Sequence, residues 1–178
     1  FTYEAEDIRM IPARPAYSNK GTFGRVLIAA GSKNMSGAAY LSAMAAYRMG
    51  AGLVKIFTVE ENRAILQTAL PEAIITTYDP EEAQTPTVRF QTQEPYTRNL
   101  VETVLANAYV PIILDADGLN TIAAFPELTN YFTENIIVTP HLGEMARLTG
   151  SSVEAIRGCL IPTAREYADR YGITCVLK

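Results

Sequence analysis

The chain has 178 residues, 48% hydrophobic and 19% charged, which is enough for one domain with a real core and short for two. Its net charge of −4, with a pI near 5.1, argues against electrostatic capture of nucleic acid or of an anionic membrane. Cys159 and Cys175 are too few for a disulfide framework and lie in no metal-type spacing, so reduced thiols and a cytoplasmic setting are expected. No apolar run approaches the ~18–20 residues that span a bilayer, and no signal peptide opens the chain.

Phe1 to Pro12 reads as a short helical lead-in, followed by a polar segment whose Gly21 and Gly24 suggest a tight turn. Arg25 to Ala30 is an apolar run stopped by Gly31, as expected of a buried strand. The polar loop Ser32 to Ser36 offers two caps, Asn34 and Ser36. Gly37 to Met49 is alanine-rich and free of proline, a helix expected to bury Leu41, Met44 and Ala45. Gly50 and Gly52 end it, and Leu53 to Phe57 is the next strand. This strand–loop–helix–strand unit delivers a helix amino end to the carboxyl edge of a strand, where free N–H groups favour anionic or polar ligands.

Val59 to Gln67 reads as a short helix with acids in its first turn, closed by Pro71, and Ala73 to Thr77 as a third strand. From Asp79 to Thr97 three prolines and several glutamines break any periodicity, and Tyr96 to Ala108 restores a helical one. Pro111 to Asp115 is a strand ending on a carboxylate, with Asp117 as a cap for a helix over Gly118 to Ala124. A turn or two of helix covers Pro126 to Phe132. Ile136 to Val138 is a strand, and Glu144 to Leu148 a helix. Ser151 to Tyr171 is mostly helical with a break at Pro162, and Ile173 to Leu177 is the last strand. The alternation predicts an α/β fold with a mainly parallel central sheet covered by helices on both faces.

The loop Gly31 to Gly37 is not a Walker phosphate loop, because Ala38-Ala39 stands where Lys-Ser/Thr is needed. Gly50-Ala51-Gly52 follows a helix and lacks the third glycine of a dinucleotide fingerprint. Gly37-Ala38-Ala39 could be small for a ligand, or only so that the helix can press on the sheet. His141 is the single histidine, placed at a strand's carboxyl edge by Thr139-Pro140 and Gly143. A hydrogen bond to substrate is its sharper reading; a structural role is the plainer one. One histidine without paired cysteines or a His-Glu-x-x-His spacing gives no zinc site, and no resident metal ligands are assigned. Asp115 and Asp117, two apart on an extended strand, share a side and could offer oxygens to magnesium or to hydroxyl groups. Asp117 could equally be a cap, and Asp115 a buried acceptor. Lys178 ends a strand and could meet a nucleotide phosphate.

At these residues the sequence resembles the ADP/ATP-dependent NAD(P)H-hydrate dehydratases, the carbohydrate-kinase-like C-terminal domain of the YjeF type. The matching segments are Asn19-Lys-Gly-Thr-Phe-Gly24, Gly31-Ser32 with Gly37-Ala38-Ala39, and Arg48-Met-Gly-Ala-Gly-Leu-Val54. They continue with Leu70-Pro-Glu-Ala73, Leu114-Asp-Ala-Asp-Gly-Leu-Asn120 and Thr139-Pro-His-Leu-Gly-Glu-Met145. Val176-Leu177-Lys178 resembles the start of the family's Leu-Lys-Gly nucleotide segment. The resemblance implies a ribokinase-like fold and a repair reaction, in which NADH or NADPH hydrate is dehydrated at the expense of ADP or ATP with magnesium. Hydroxide leaves poorly, so phosphorylating the ring hydroxyl creates a good leaving group, and the ring nitrogen can then expel phosphate. By resemblance, Gly37, Ala38 and Ala39 line the hydrate site together with Asp115, His141 contacts the substrate, and Lys178 begins the nucleotide-phosphate loop. Pro140-His141 is similar to the bacterial form, which leans the nucleotide toward ADP. The family also suggests a homotetramer, and pairing or fusion with an epimerase acting on the same hydrates.

Two departures stand beside the resemblance. The family's Gly-Pro-Gly-Leu-Gly loop has no counterpart, since no glycine occurs from Leu53 to Asp117. Its Gly-x-Gly-Asp segment, whose aspartate is the catalytic base, is expected beyond Lys178, so no catalytic residue is assigned here. The chain is therefore expected to be a single, incomplete ribokinase-like domain and a piece of a longer protein. A small-molecule kinase of the same superfamily and an inactive nucleotide-binding module are the alternative readings.

Overall fold

A computed structural model of the chain describes residues 4, 6, 13–78 and 95–178, in two compact units, Phe1–Pro80 and Glu81–Lys178. The expected lead-in helix over 1–12 and the irregular stretch over 79–94 fall, but for Glu4 and Glu6, outside the described residues.

In the first unit, β1 (Arg25–Ala29), α1 (Gly37–Arg48), β2 (Leu53–Val59), α2 (Arg63–Ala69) and β3 (Ile74–Tyr78) follow in order, with a 3-10 turn Glu60–Asn62 leading into α2. The strands form a parallel sheet in the order β1-β2-β3, with Arg25 opposite Leu53 and Lys55 opposite Ile74. Strand alternation sets the inner face of β2: Val54, Ile56 and Thr58 are fully buried, while Lys55 is exposed. These residues pack with Ala39, Ala43, Leu66, Leu70 and Ala73.

The buried face of α1 is only partly the one expected, since Met44 packs against the core but its companions do not. Leu41 is 66% exposed and Ala45 is exposed, whereas Ala39 and Ala43 are fully buried. The row Ala39, Ala43, Tyr47 has the i, i+4 spacing of one helix face. Two alanines on it let the helix axis come close to the sheet, and Tyr47 reaches over the end to donate from its hydroxyl to the Glu72 carbonyl at 2.8 Å. Backbone proximity, rather than side-chain size, selects the face. The chain then passes Gly52, where an added Cβ would lie 1.6 Å from the Lys20 carbonyl oxygen. Only glycine lets these two backbone segments cross so closely. The turn Lys20–Phe23 that Gly52 crosses is itself capped, with Asn19 Oδ1 accepting from Gly21 N–H and Thr22 Oγ1 accepting from Asn19 N–H.

In the second unit, α3 (Pro95–Asn107), β4 (Ile112–Leu114), α4 (Asp117–Ala124), β5 (Ile136–Val138), α5 (Leu142–Thr149), α6 (Val153–Arg157), α7 (Leu160–Tyr171) and β6 (Thr174–Cys175) follow in order, with a 3-10 turn Pro126–Tyr131 after α4. The sheet is again parallel, in the order β4-β5-β6. Leu114, Ile136 and Val138 from the strands meet Leu119, Ile122, Met145, Ile156 and Tyr167 from the helices in one core. Pairing with β5 runs past β6, since Val176 N–H donates to Val138 and Lys178 N–H donates to Pro140, both at 2.8 Å.

Three local expectations are corrected here. α3 starts at Pro95, inside the stretch expected to be irregular, because proline suits the first turn, where its missing N–H costs nothing. For the same reason Pro162 sits in the first turn of α7, and the break falls at Gly158–Cys159. Asp117 is the first helical residue of α4 and not its cap; the capping position is Ala116, at φ 48°. Both cysteines are free thiols.

Candidate functional site

Each unit has a rim where strands end and loops begin. In the first unit, Gly31 takes a left-handed φ of 85°, and Ser32 and Met35 exchange backbone hydrogen bonds at 3.4 and 2.8 Å to close a tight turn. Two buried polar residues hold that turn. Asn62, 1% exposed, donates from Nδ2 to the Ser32 carbonyl at 3.2 Å and to Thr58 Oγ1 at 3.1 Å. Thr58, fully buried, donates in turn to the Gly31 carbonyl at 3.5 Å. Neither residue was singled out from sequence. The available signal was polarity at the inner end of an otherwise apolar strand face.

The turn leads into α1, and the expected Ser36 cap is not made: Ser36 already has helical dihedrals and no side chain caps the first turn. Asn34 instead occupies a left-handed turn position at φ 65°. Gly37 and Ala38 are exposed, while Ala39 is fully buried. Exposed backbone at a helix amino end, backed by one buried methyl, suits a polar or anionic group.

In the second unit, the ends of β4, β5 and β6 bring Asp115, His141 and Lys178 onto one rim. Lys178 Nζ donates to both carboxylate oxygens of Asp115, at 2.8 and 3.0 Å. Ala116 N–H also donates to Asp115 Oδ1, at 2.9 Å. Burial works to raise the Asp115 pKa, but hydrogen bonds from Lys178 and Ala116 outweigh it and hold the carboxyl below its ordinary range. Both side chains are about half exposed, at 47% and 50%, so the pair remains open to ligands and to salt.

His141 caps α5. Its Nδ1 accepts from Gly143 N–H at 3.0 Å and from Glu144 N–H at 3.3 Å, and Glu144 Oε2 accepts from His141 N–H at 2.8 Å. This reciprocal arrangement is a capping box built with histidine in place of serine or threonine. An Nδ1 that accepts leaves the proton of the neutral ring on Nε2, which lies 3.3 Å from Glu144 Oε1. The ring is 55% exposed while the Glu144 side chain is 6% exposed. Arg147 Nε donates to Asn120 Oδ1 at 2.8 Å and ties α5 to α4. The structural role of His141 is thus in place: Nδ1 accepts from the first turn of α5, and Nε2 faces the Glu144 carboxylate. Gly37, Ala38 and Ala39 stand on the rim of the first unit, described by itself. Asp117 takes no part in the Asp115–Lys178 pair.

A family model described as NAD(P)H-hydrate dehydratase matches residues 26–178. The chain belongs to the NAD(P)H-hydrate dehydratase family. It is 36% identical over 176 residues to the bifunctional NAD(P)H-hydrate repair enzyme Nnr of Escherichia coli, a match covering 94% of this chain and 33% of that protein. Among solved structures, an ADP/ATP-dependent NAD(P)H-hydrate dehydratase from Bacillus subtilis, co-crystallised with ATP and Mg2+, superimposes with a TM-score of 0.74 at 31% identity, over 94% of this chain and 62% of that one. A ribokinase-like superfamily protein from Enterococcus faecalis, 23% identical, matches in fold with a TM-score of 0.75 over 93% of this chain. The α/β architecture with parallel strands is therefore ribokinase-like in fold. The chain spans about a third of the length of the bifunctional NAD(P)H-hydrate repair relative and about six-tenths of the B. subtilis dehydratase. Among the described residues no helix is long and apolar enough to cross a membrane.

Proposed function

We propose that this chain carries the hydrate-binding rim and the first nucleotide-contacting residue of an ADP- or ATP-dependent NAD(P)H-hydrate dehydratase. The reaction returns NADHX or NADPHX to NADH or NADPH, coupled to hydrolysis of the nucleotide. In this reading Gly37, Ala38 and Ala39 are hydrate-binding residues, as are Asp115 and His141, and Lys178 meets a nucleotide phosphate. The observation that carries it is the family match across residues 26–178, with the motifs Leu114-Asp115 and Thr139-Pro-His141 falling where strands give way to loops and Gly37-Ala38-Ala39 opening α1.

The chemistry at these atoms is consistent with those roles. Exposed backbone at Gly37 and Ala38 can donate to a polar ring substituent. His141 Nε2–H faces Glu144 Oε1 at 3.3 Å on a half-exposed ring, and would have to turn from that carboxylate, or share its proton, to donate to a hydroxyl or amide oxygen. Lys178 has three N–H donors, of which Asp115 takes two. Magnesium carried by the nucleotide would neutralise phosphate charge. Among the described residues no group of three or more His, Cys, Asp or Glu could hold a metal by itself. Asp115, beside Lys178, is the carboxylate that would meet an ion brought in by phosphates.

The same proposal includes a cytoplasmic homotetramer and pairing with, or fusion to, an epimerase for the same hydrates; the bifunctional E. coli relative supports a second activity on one polypeptide. The deciding experiment gives the full-length protein NADH hydrate, Mg2+ and ADP, with ATP in a parallel arm, and follows the return of dihydronicotinamide absorbance. Recovery with release of inorganic phosphate is expected, faster with ADP. A stable phosphorylated product would instead indicate a kinase, and no recovery with either nucleotide would end the dehydratase reading.

A further inference from the structure

We infer that Thr58 and Asn62 are positioning residues for the substrate segment Gly37–Ala39, acting through the turn that precedes it. The inference rests on the hydrate-site reading above and adds two residues to it. Thr58 and Asn62 are 0% and 1% exposed, and side chains this polar are costly to bury unless all their hydrogen-bonding capacity is used. Asn62 spends both Nδ2 protons, one on the Ser32 carbonyl 30 residues away and one on Thr58 Oγ1. Thr58 passes its own proton to Gly31. The amide and hydroxyl of one strand–helix junction thus grip both ends of the first step of a distant loop.

A second observation shows what the grip controls. A Cβ built on Gly31 would lie 2.9 Å from Thr58 Oγ1, 3.0 Å from Asn62 Nδ2 and 3.3 Å from Ala39 Cβ. The loop, the polar pair and the first turn of α1 therefore meet at a single α-carbon. Displacing the loop there displaces Ala39, and with it the exposed backbone of Gly37 and Ala38. No local device substitutes, because Ser36 leaves the first turn uncapped. A binding segment on a loop needs this kind of support from rigid elements, and β2 and the 3-10 turn that follows it supply it through these two side chains.

The test uses Asn62→Ala and the isosteric Thr58→Val in the full-length protein, with Thr58→Ser retaining the hydroxyl. Amide hydrogen exchange over residues 31–39 should speed up in Asn62→Ala and Thr58→Val while β2 and β3 stay protected, and Thr58→Ser should behave as wild type. In turnover, Asn62→Ala should raise the KM for the hydrate about tenfold and leave the KM for ADP within about twofold. The two substitutions combined should do little more than Asn62→Ala alone, since they break one network. Unchanged exchange over 31–39 overturns the positioning role, as does a lowered melting temperature with an unchanged hydrate KM. Faster exchange in a protein whose wild type restores no NADH would keep the mechanical role and overturn the dehydratase reading instead. Should Asn62→Ala fail to fold, Thr58→Val, which removes only the hydroxyl, decides by the same two readouts.

Discussion

The two rims solve one problem with different chemistry. In the first unit the loop after β1 is fixed from below by neutral groups, the Thr58 hydroxyl and the Asn62 amide, both out of reach of water. In the second unit the loop after β4 is fixed at the surface by charge, through Asp115–Lys178, and the loop after β5 by the capping box of half-exposed His141 and buried Glu144. A buried neutral network is insensitive to salt and to mild changes of pH, and it fails only when a partner is deleted. A half-exposed ion pair is weak, adjustable and able to release its members to a ligand. The difference matches what the proposed roles demand: a stiff support for the hydrated ring, and a charged group able to move onto a phosphate.

The largest expected effect lies under the stiff side. Gly52→Ala forces a methyl into the Lys20 carbonyl, so the variant should lose about 3 kcal/mol or more, or fail to accumulate, in urea unfolding. Next, Asn62→Ala should cost about 1–3 kcal/mol, the same at low and at high salt and across neutral pH. A strong salt dependence there would break the comparison.

On the charged side, His141→Ala should cost about 1 kcal/mol through loss of the cap, whereas His141→Asn should stay within about 0.5 kcal/mol because asparagine caps well. A raised hydrate KM in His141→Asn, with unchanged melting, would separate the ring's substrate role from its capping role. Unchanged kinetics in that variant would leave the histidine purely structural.

The smallest effect concerns acid. The folded Asp115 pKa lies below its ordinary value of 3.8, so its stabilisation is fully present above that value and is lost as pH falls through the lower folded value. The pair is half exposed, so the loss should be under about 1 kcal/mol and should shrink at high salt. Comparing acid unfolding of wild type with Asp115→Asn isolates it: wild type should weaken more steeply below pH 4. Glu60, held down to about 2 by hydrogen bonds from Arg63 and the Thr77 hydroxyl, also weakens the fold over this acid range, but it does so in both proteins, so their difference isolates Asp115.

Much of this protein could be read along the chain. The succession of strands and helices, the loop after Arg25–Ala29, the strand ending at Asp115 and the histidine after Thr139-Pro140 all follow from local periodicity and turn chemistry. The family segments, each a few residues long, are local too. Where reading failed, the missing information was spatial. Hydrophobicity pointed α1 inward by Leu41, but the sheet accepts the alanine row. Asn62 looked like one residue of an acidic helix start, and Ser36 like a cap, because Ser and Asn usually cap and histidine usually does not.

By itself the sequence determined the kind of elements, their order and the family, since each depends on neighbours a few positions apart. Only the folded chain decided which polar groups meet. Lys178 and Asp115 are 63 residues apart, and Asn62 and Ser32 are 30. Their contacts exist because parallel strands carry the chain back to the same edge, and no local pattern of residues encodes a distance across a sheet.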